Sequence, residues 1–259
     1  MRLSRTLIGM VHLAPLPGSP RWRGSMAEVI DRALADAGAL VEGGIDALLV
    51  ENFGDVPFAP GRAEASTVAA LSVAAAAVRS AWPATPMGIN VLRSDPRSAL
   101  AVACAVGAVF VRANVHAGAV VADQGLLQSD AYATLRERRL LAAEVAIFAD
   151  AQTKHAAPLA PAEIEQEARD LVRRALADAL IVTGRSTGDP AALSDLKRVR
   201  DAVPEAPVLV GSGVTAESVA ELLSVANGVI VGTSLKREGH VGNAVDPIRV
   251  RRLVDAARS

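Results

Sequence analysis

The stretch PVLVGSGVTAESVAELLSVANGVIVGTSLK, residues 207–236, states one pattern twice. A short apolar run ends in small residues, first Gly211-Ser212-Gly213 and then Gly232-Thr233-Ser234, with helical spacing between them. The runs are apolar on both faces rather than alternating, as parallel strands covered on both sides require. Worked outward, the same alternation predicts eight strands, at 7–13, 47–52, 87–92, 109–115, 145–150, 179–183, 208–210 and 229–231. Each precedes a predicted helix, at 25–43, 63–81, 96–106, 132–143, 162–176, 190–202, 216–225 and 247–257. Eight such units in order specify the α/β class and a single (β/α)8 TIM barrel over residues 1–259. The alternative is an open doubly wound sheet, which usually has fewer strands and needs a topological switch point.

Local chemistry supports the boundaries. Asp95-Pro96, Asp189-Pro190 and Asp246-Pro247 each set a capping carboxylate before a proline suited to a first helical turn. Gly43, Gly107 and Gly228 fall just past helix ends, where a left-handed residue closes the last turn. The connection 116–131 is the longest after any strand and is a candidate lid.

Composition narrows the function classes. Hydrophobic residues make up 51% of the chain and aromatics only 3%, so the core is assembled from Ala, Val and Leu. A net charge of −1 gives no electrostatic reason to expect nucleic acid or an anionic membrane as partner. The run Arg136-Glu137-Arg138-Arg139 reads as a solvated helix face. Cys104 is the one cysteine and, among apolar neighbours, reads as a small core residue. Gly9, His12, Pro15 and Pro17 interrupt any apolar leader, so no signal peptide is expected. The uncharged apolar stretch 98–111 is shorter than the ~18–20 residues of a membrane span. A soluble cytoplasmic protein without a transmembrane segment is expected. The Ala-rich helix at 63–81 is a candidate surface for a homo-oligomer.

Barrel enzymes place their sites at the C-terminal ends of the strands. There the first strand delivers His12, the second Glu51 and Asn52, and the third Asn90. The fourth carries Arg112, Asn114 and His116, spaced by two and so expected on one face. The fifth gives Asp150, with Lys154 and His155 beyond it, and the sixth Thr183 and Arg185. The opposite junctions hold mostly turn-formers. Singly, each polar residue has the plain alternative of satisfying a loop backbone; together they form a ring.

Loops after the seventh and eighth strands of such barrels commonly bind phosphate. Glycine lets backbone N–H groups approach an anion, so Gly211, Ser212, Gly213, Gly232, Thr233 and Ser234 are candidate phosphate residues, with Lys236 as an added charge. The alternative is a pair of tight turns. Lysine is scarce, with Lys154, Lys197 and Lys236 alone among 27 cationic residues. That makes Lys154 a Schiff-base or general-acid candidate, with a structural ion pair as the other reading.

The strings IGMVHLAPLPGSP, VENFGD, NVHAGAVVADQG, KHAAPL and VLVGSGVT…GVIVGTSLK resemble the BtpA/SgcQ family from about Leu7 to the last helix. The resemblance implies the barrel and, in photosynthetic members, a link to photosystem I accumulation. Other members look like enzymes of sugar or nucleoside metabolism. Carried over to this sequence, the motif positions are His12, Glu51, Asn52, Asn90, Asn114, His116, Asp123, Gln124, Asp150, Lys154, His155, Gly211, Gly213, Gly232, Thr233 and Lys236. Gln152, Thr153, Arg185 and Ala244 depart from the family pattern.

The leading expectation is an enzyme acting on a phosphorylated sugar or related metabolite. Glu51, Asp150, Lys154, His12 and His155 are its acid, base or carbonyl-polarising candidates. Asn52, Asn90, Arg112, Asn114, His116, Asp123, Thr183 and Arg185 are candidate substrate contacts. No cofactor is required by the motifs. A second reading takes His12, Glu51, Asp150 and His155 as ligands of a divalent metal, although no HxH or HExxH spacing is present. A third is a non-enzymatic assembly factor retaining only the pocket.

Overall fold

The computed structural model describes residues 3–141, 143–153, 155–160, 162–184 and 191–259. Its strands are β1 (Thr6–His12), β2 (Ala47–Glu51), β3 (Met87–Asn90), β4 (Phe110–Ala113), β5 (Ala119–Ala122), β6 (Gly125–Gln128), β7 (Ala146–Ala151), β8 (Ala156–Pro158), β9 (Ala179–Val182), β10 (Val208–Val210) and β11 (Gly228–Val231). Eight of them close a parallel barrel in the order β1-β11-β10-β9-β7-β4-β3-β2. The helices alternate with these: α1 (Met26–Glu42), α2 (Ala65–Ala81), α3 (Pro96–Val106), α4 (Ala131–Leu140), α5 (Ile164–Arg173), α6 (Leu193–Ala202), α7 (Val219–Val225) and α8 (Pro247–Arg258). The expected (β/α)8 fold is present.

Strand parity sorts the apolar residues into two cores. Ile8, Met10, Leu49, Phe110, Phe148, Ile181, Leu209 and Ile230 fill the barrel interior, where the Phe110 and Phe148 rings stack at 4.6 Å. Their neighbours Leu7, Val11, Leu48 and Val50 turn outward and pack with Leu40, Leu71 and Leu100 of the helical shell. The capping carboxylates hold as read. Asp95 accepts from the Ser98 amide at 3.0 Å and Asp246 from the Ile248 amide at 2.9 Å. Asp189 and Pro190 lie outside the described residues.

Several expectations need correction. Gly107 is left-handed at φ +69, but Gly43 is right-handed, and Gly228 opens β11 rather than closing α7. Cys104 is exposed on the outer face of α3, because its position falls on the solvent side of the helical stripe. The candidate lid is not an irregular loop. Its residues form the β5–β6 hairpin, and β5 also pairs with β8, making a three-stranded antiparallel arm outside the barrel. Among the described residues no helix is long and apolar enough to cross a membrane.

Candidate functional site

Following each strand's inward parity one step past the interior core gives His12, Glu51, Asn90, Arg112, Asp150, Thr183, Gly211 and Gly232. The mouth layer therefore holds six polar side chains and two gaps. Register sets His12 beside Glu51, Glu51 beside Asn90, and Asn90 beside Arg112. The gaps are forced by crowding. A Cβ on Gly211 would run into Ile181, and one on Gly232 would stand 3.0 Å from Cε1 of His12.

A cleft of 160 Å³ opens over those gaps. One wall is made by residues 211–215 and 232–234, the other by His12, Glu51, Phe53 and Arg112. Glu51 is buried and accepts from Asn90 Nδ2 at 2.5 Å, while His12 Nε2 lies 3.8 Å from its other oxygen. The His12 ring rests on Phe53, with centroids 4.5 Å apart. Gly213 is left-handed at φ +67, and residues 233–235 form a 3₁₀ turn whose opening N–H groups lack partners within the turn. Both turns thus line one cleft. Ser234 Oγ donates to the Val214 carbonyl at 2.6 Å and so braces one turn against the other.

Other expected site residues are bonded to neighbours or lie away from the cleft. Asp150 was expected to move protons, but its oxygens accept from Arg112 Nε at 2.8 Å, Arg112 Nη2 at 3.0 Å and Asn114 Nδ2 at 2.9 Å. The pair is fully buried, and the carboxylate serves to hold Arg112. Arg112's pKa is raised: Asp150, and more weakly Glu51, outweigh the burial that would lower it. Lys236 does not face the cleft either. It is wholly buried against Asp36 of α1, Nζ to Oδ2 at 2.5 Å, and burial lowers its pKa against the pull of Asp36.

Asn52 spends its amide on Asp55 and on both backbone groups of Leu92, so it latches two loops together. His116 leaves the mouth because β4 ends at Ala113 and the alternation stops there. Its Nε2 meets the Ala175 carbonyl at 3.0 Å, and burial pushes its pKa down. His155 is exposed beside β8, outside the cleft lining. Asp123 sits at the tip of the β5–β6 hairpin and pairs with Arg93. Thr183 donates to the Gln152 carbonyl at 3.0 Å, and its methyl lies beside Gly211. Lys154 and Arg185 lie outside the described residues.

The four metal-ligand candidates do not gather. Among the described residues no three His, Cys, Asp or Glu side chains are placed to hold a metal, and a guanidinium already takes Asp150. The sequence reading also missed Met10 and Phe53 in the cleft wall, and Arg93. Inward parity singles out Met10, whereas Phe53 and Arg93 follow strand ends in loops that carry no periodic signal.

The sequence of residues 3–259 matches the family model described as the BtpA family. The chain belongs to the BtpA family. A relative in Synechocystis named Photosystem I biogenesis protein BtpA is 45% identical over 96% of this chain and 87% of its own length. Another relative, the uncharacterized protein TK2179 of Thermococcus kodakarensis, is 44% identical over 98% of this chain and 95% of its own. Among solved structures, KGPDC from Streptococcus mutans superposes with a TM-score of 0.62 at 11% identity, covering 98% of each chain. Phosphoribosyl anthranilate isomerase from Thermus thermophilus gives 0.57 at 13%, again over 98% of each. At such identities these two establish the barrel alone for this BtpA-family member.

Proposed function

We propose that this chain is an enzyme acting on a phosphorylated sugar or related small metabolite, with acid–base chemistry of the isomerase, epimerase or aldolase kind. The observation that carries the reading is a shared cleft. The paired Gly turns after β10 and β11 and the His12–Glu51 couple line the same 160 Å³ space. Main-chain N–H groups at the turns suit a phosphate, and glycine keeps the approach clear. Glu51 then stands over the carbon chain of the ligand, oriented by Asn90, to take up or deliver a proton. Arg112, fixed by Asp150, adds positive charge where an enolate or alkoxide would form. The Thermus barrel named phosphoribosyl anthranilate isomerase lends support by its name.

The Synechocystis relative's name supports a second reading, an assembly factor that binds a ligand without turnover. A relative in an archaeon at nearly equal identity extends the fold beyond photosynthetic cells and favours metabolism. One experiment separates the readings. A ligand at 100 times its Kd stabilises by about 2.7 kcal/mol, and each kcal/mol raises Tm by roughly 2–4 °C in a chain near this size. A screen of phosphorylated metabolites should therefore find a shift of several degrees. With that compound, Glu51→Gln should keep the shift and lose turnover by ~10²–10⁴. A ligand that binds yet is never transformed by the wild type would leave the assembly reading standing.

A further inference from the structure

Beyond Glu51 and Arg112 lies a second, smaller cavity of 30 Å³, room for little more than one or two water-sized groups. Its walls include Glu51, Phe58, Arg93, Arg112, Asn114 and Thr153. Arg93 is only 8% exposed, an unusual depth for a guanidinium whose sole ion-pair partner among the described residues is a surface carboxylate. That partner, Asp123, has 60% of its side chain in solvent and meets one Arg93 nitrogen at 3.3 Å. The guanidinium also lies 5.6 Å from the centre of the Phe58 ring. A fork of five donors is thus left with one hydrogen bond among the described residues.

Asn114 supplies an independent sign. Its Nδ2 donates to Asp150 at 2.9 Å, which fixes the amide's orientation. Its Oδ1 is then a buried acceptor with no partner among the described residues, in a side chain 3% exposed. Left unpaired, such an atom costs folding free energy, which a donor from a ligand or a water recovers.

We infer that this cavity binds the far end of the substrate, with Arg93 taking a carboxylate and Asn114 Oδ1 a neighbouring hydroxyl. The substrate class is a phosphorylated sugar acid, its phosphate on the Gly turns and its carboxylate across the Glu51–Arg112 divide. This rests on the proposed phosphate site for one end of the molecule. The cavity's size selects a carboxylate over a second phosphate. Binding exchanges the solvent-exposed Asp123 for a buried carboxylate able to accept two parallel N–H bonds.

The test uses pairs that differ only at the far end: 3-phosphoglycerate and glycerol 3-phosphate, 4-phosphoerythronate and erythritol 4-phosphate, 6-phosphogluconate and sorbitol 6-phosphate. Calorimetric titration of the wild type should show the acid of at least one pair binding roughly tenfold or more tighter than its alcohol. Arg93→Gln should erase that preference, weakening the acid far more than the alcohol. Asp123→Asn, at an exposed position, should preserve or increase it. Equal binding of both members in every pair, or a preference that survives Arg93→Gln, overturns the carboxylate site and leaves the phosphate site intact. A merely structural Arg93 gives equal losses for acid and alcohol and has the same consequence. Failure of all six compounds to bind, while another phosphorylated metabolite from the screen does, overturns the sugar-acid class and leaves the phosphate site; failure of every phosphorylated compound removes both.

Discussion

Gly232 and His12 meet where the last strand closes on the first, and the missing side chain is what gives the imidazole and the cleft their space. Gly232→Val puts a branched group into that space. The expected result is loss of ligand binding by titration, with an unchanged far-UV circular dichroism spectrum. His116 offers a pH test. Its folded pKa is lowered from 6.5 by burial, so the unfolded chain binds the extra proton first as the solution is acidified. This group therefore costs no stability above pH 6.5 and destabilises increasingly below it. Urea titrations should show a shallower loss between pH 6.5 and 5 for His116→Gln than for wild type. Parity along the strands made Glu51, Asn90 and Arg112 legible in the sequence. It failed at His116, because nothing in NVHAG tells where a strand's last ladder bond falls. The role of Asp150 was hidden too, since the sequence shows that a carboxylate and a guanidinium reach the mouth but not that they consume each other.

Helix α1 is tied to the segment after β11 by a buried carboxylate. Asp36 takes Lys236 Nζ on one oxygen and the Val245 amide, at 2.7 Å, on the other. The pair thus fixes the base of the turn that frames the cleft. Removing one partner strands the other in a dry site, which typically costs about 3–5 kcal/mol. Lys236→Met should show that loss in urea unfolding, far more than Lys197→Met on the surface of α6. Helix positions were readable to within a few residues because Ala, Val and Leu recur with helical spacing and Asp-Pro marks several starts. The antiparallel arm was not. In AVVADQGLLQ the strands are four residues long, half solvated and paired partly with 156–158, a contact more than thirty positions away in the chain. Such pairing leaves almost no periodic trace.

The whole molecule was legible because eight repeats of one unit leave few ways to bury both faces of every strand. Two concentric cores result, and they respond differently to truncation. Phe148→Ala removes a stacked ring from the barrel interior, where the surrounding strands have little freedom to collapse, and should cost ~3–5 kcal/mol by chemical denaturation. What repetition concealed was the division of the mouth into two compartments, which depends on how Arg112 and Glu51 pack. Closure itself reaches beyond stability. β1 pairs with β2 on one flank and with β11 on the other, so the first barrel strand to be made waits for the last. During translation the edges of β1 and β10 stay unpaired, exposing main-chain groups that can recruit strands from other chains. A chain cut short before Gly228 is left with an open sheet and half a pocket, a substrate for chaperones and proteases rather than for chemistry.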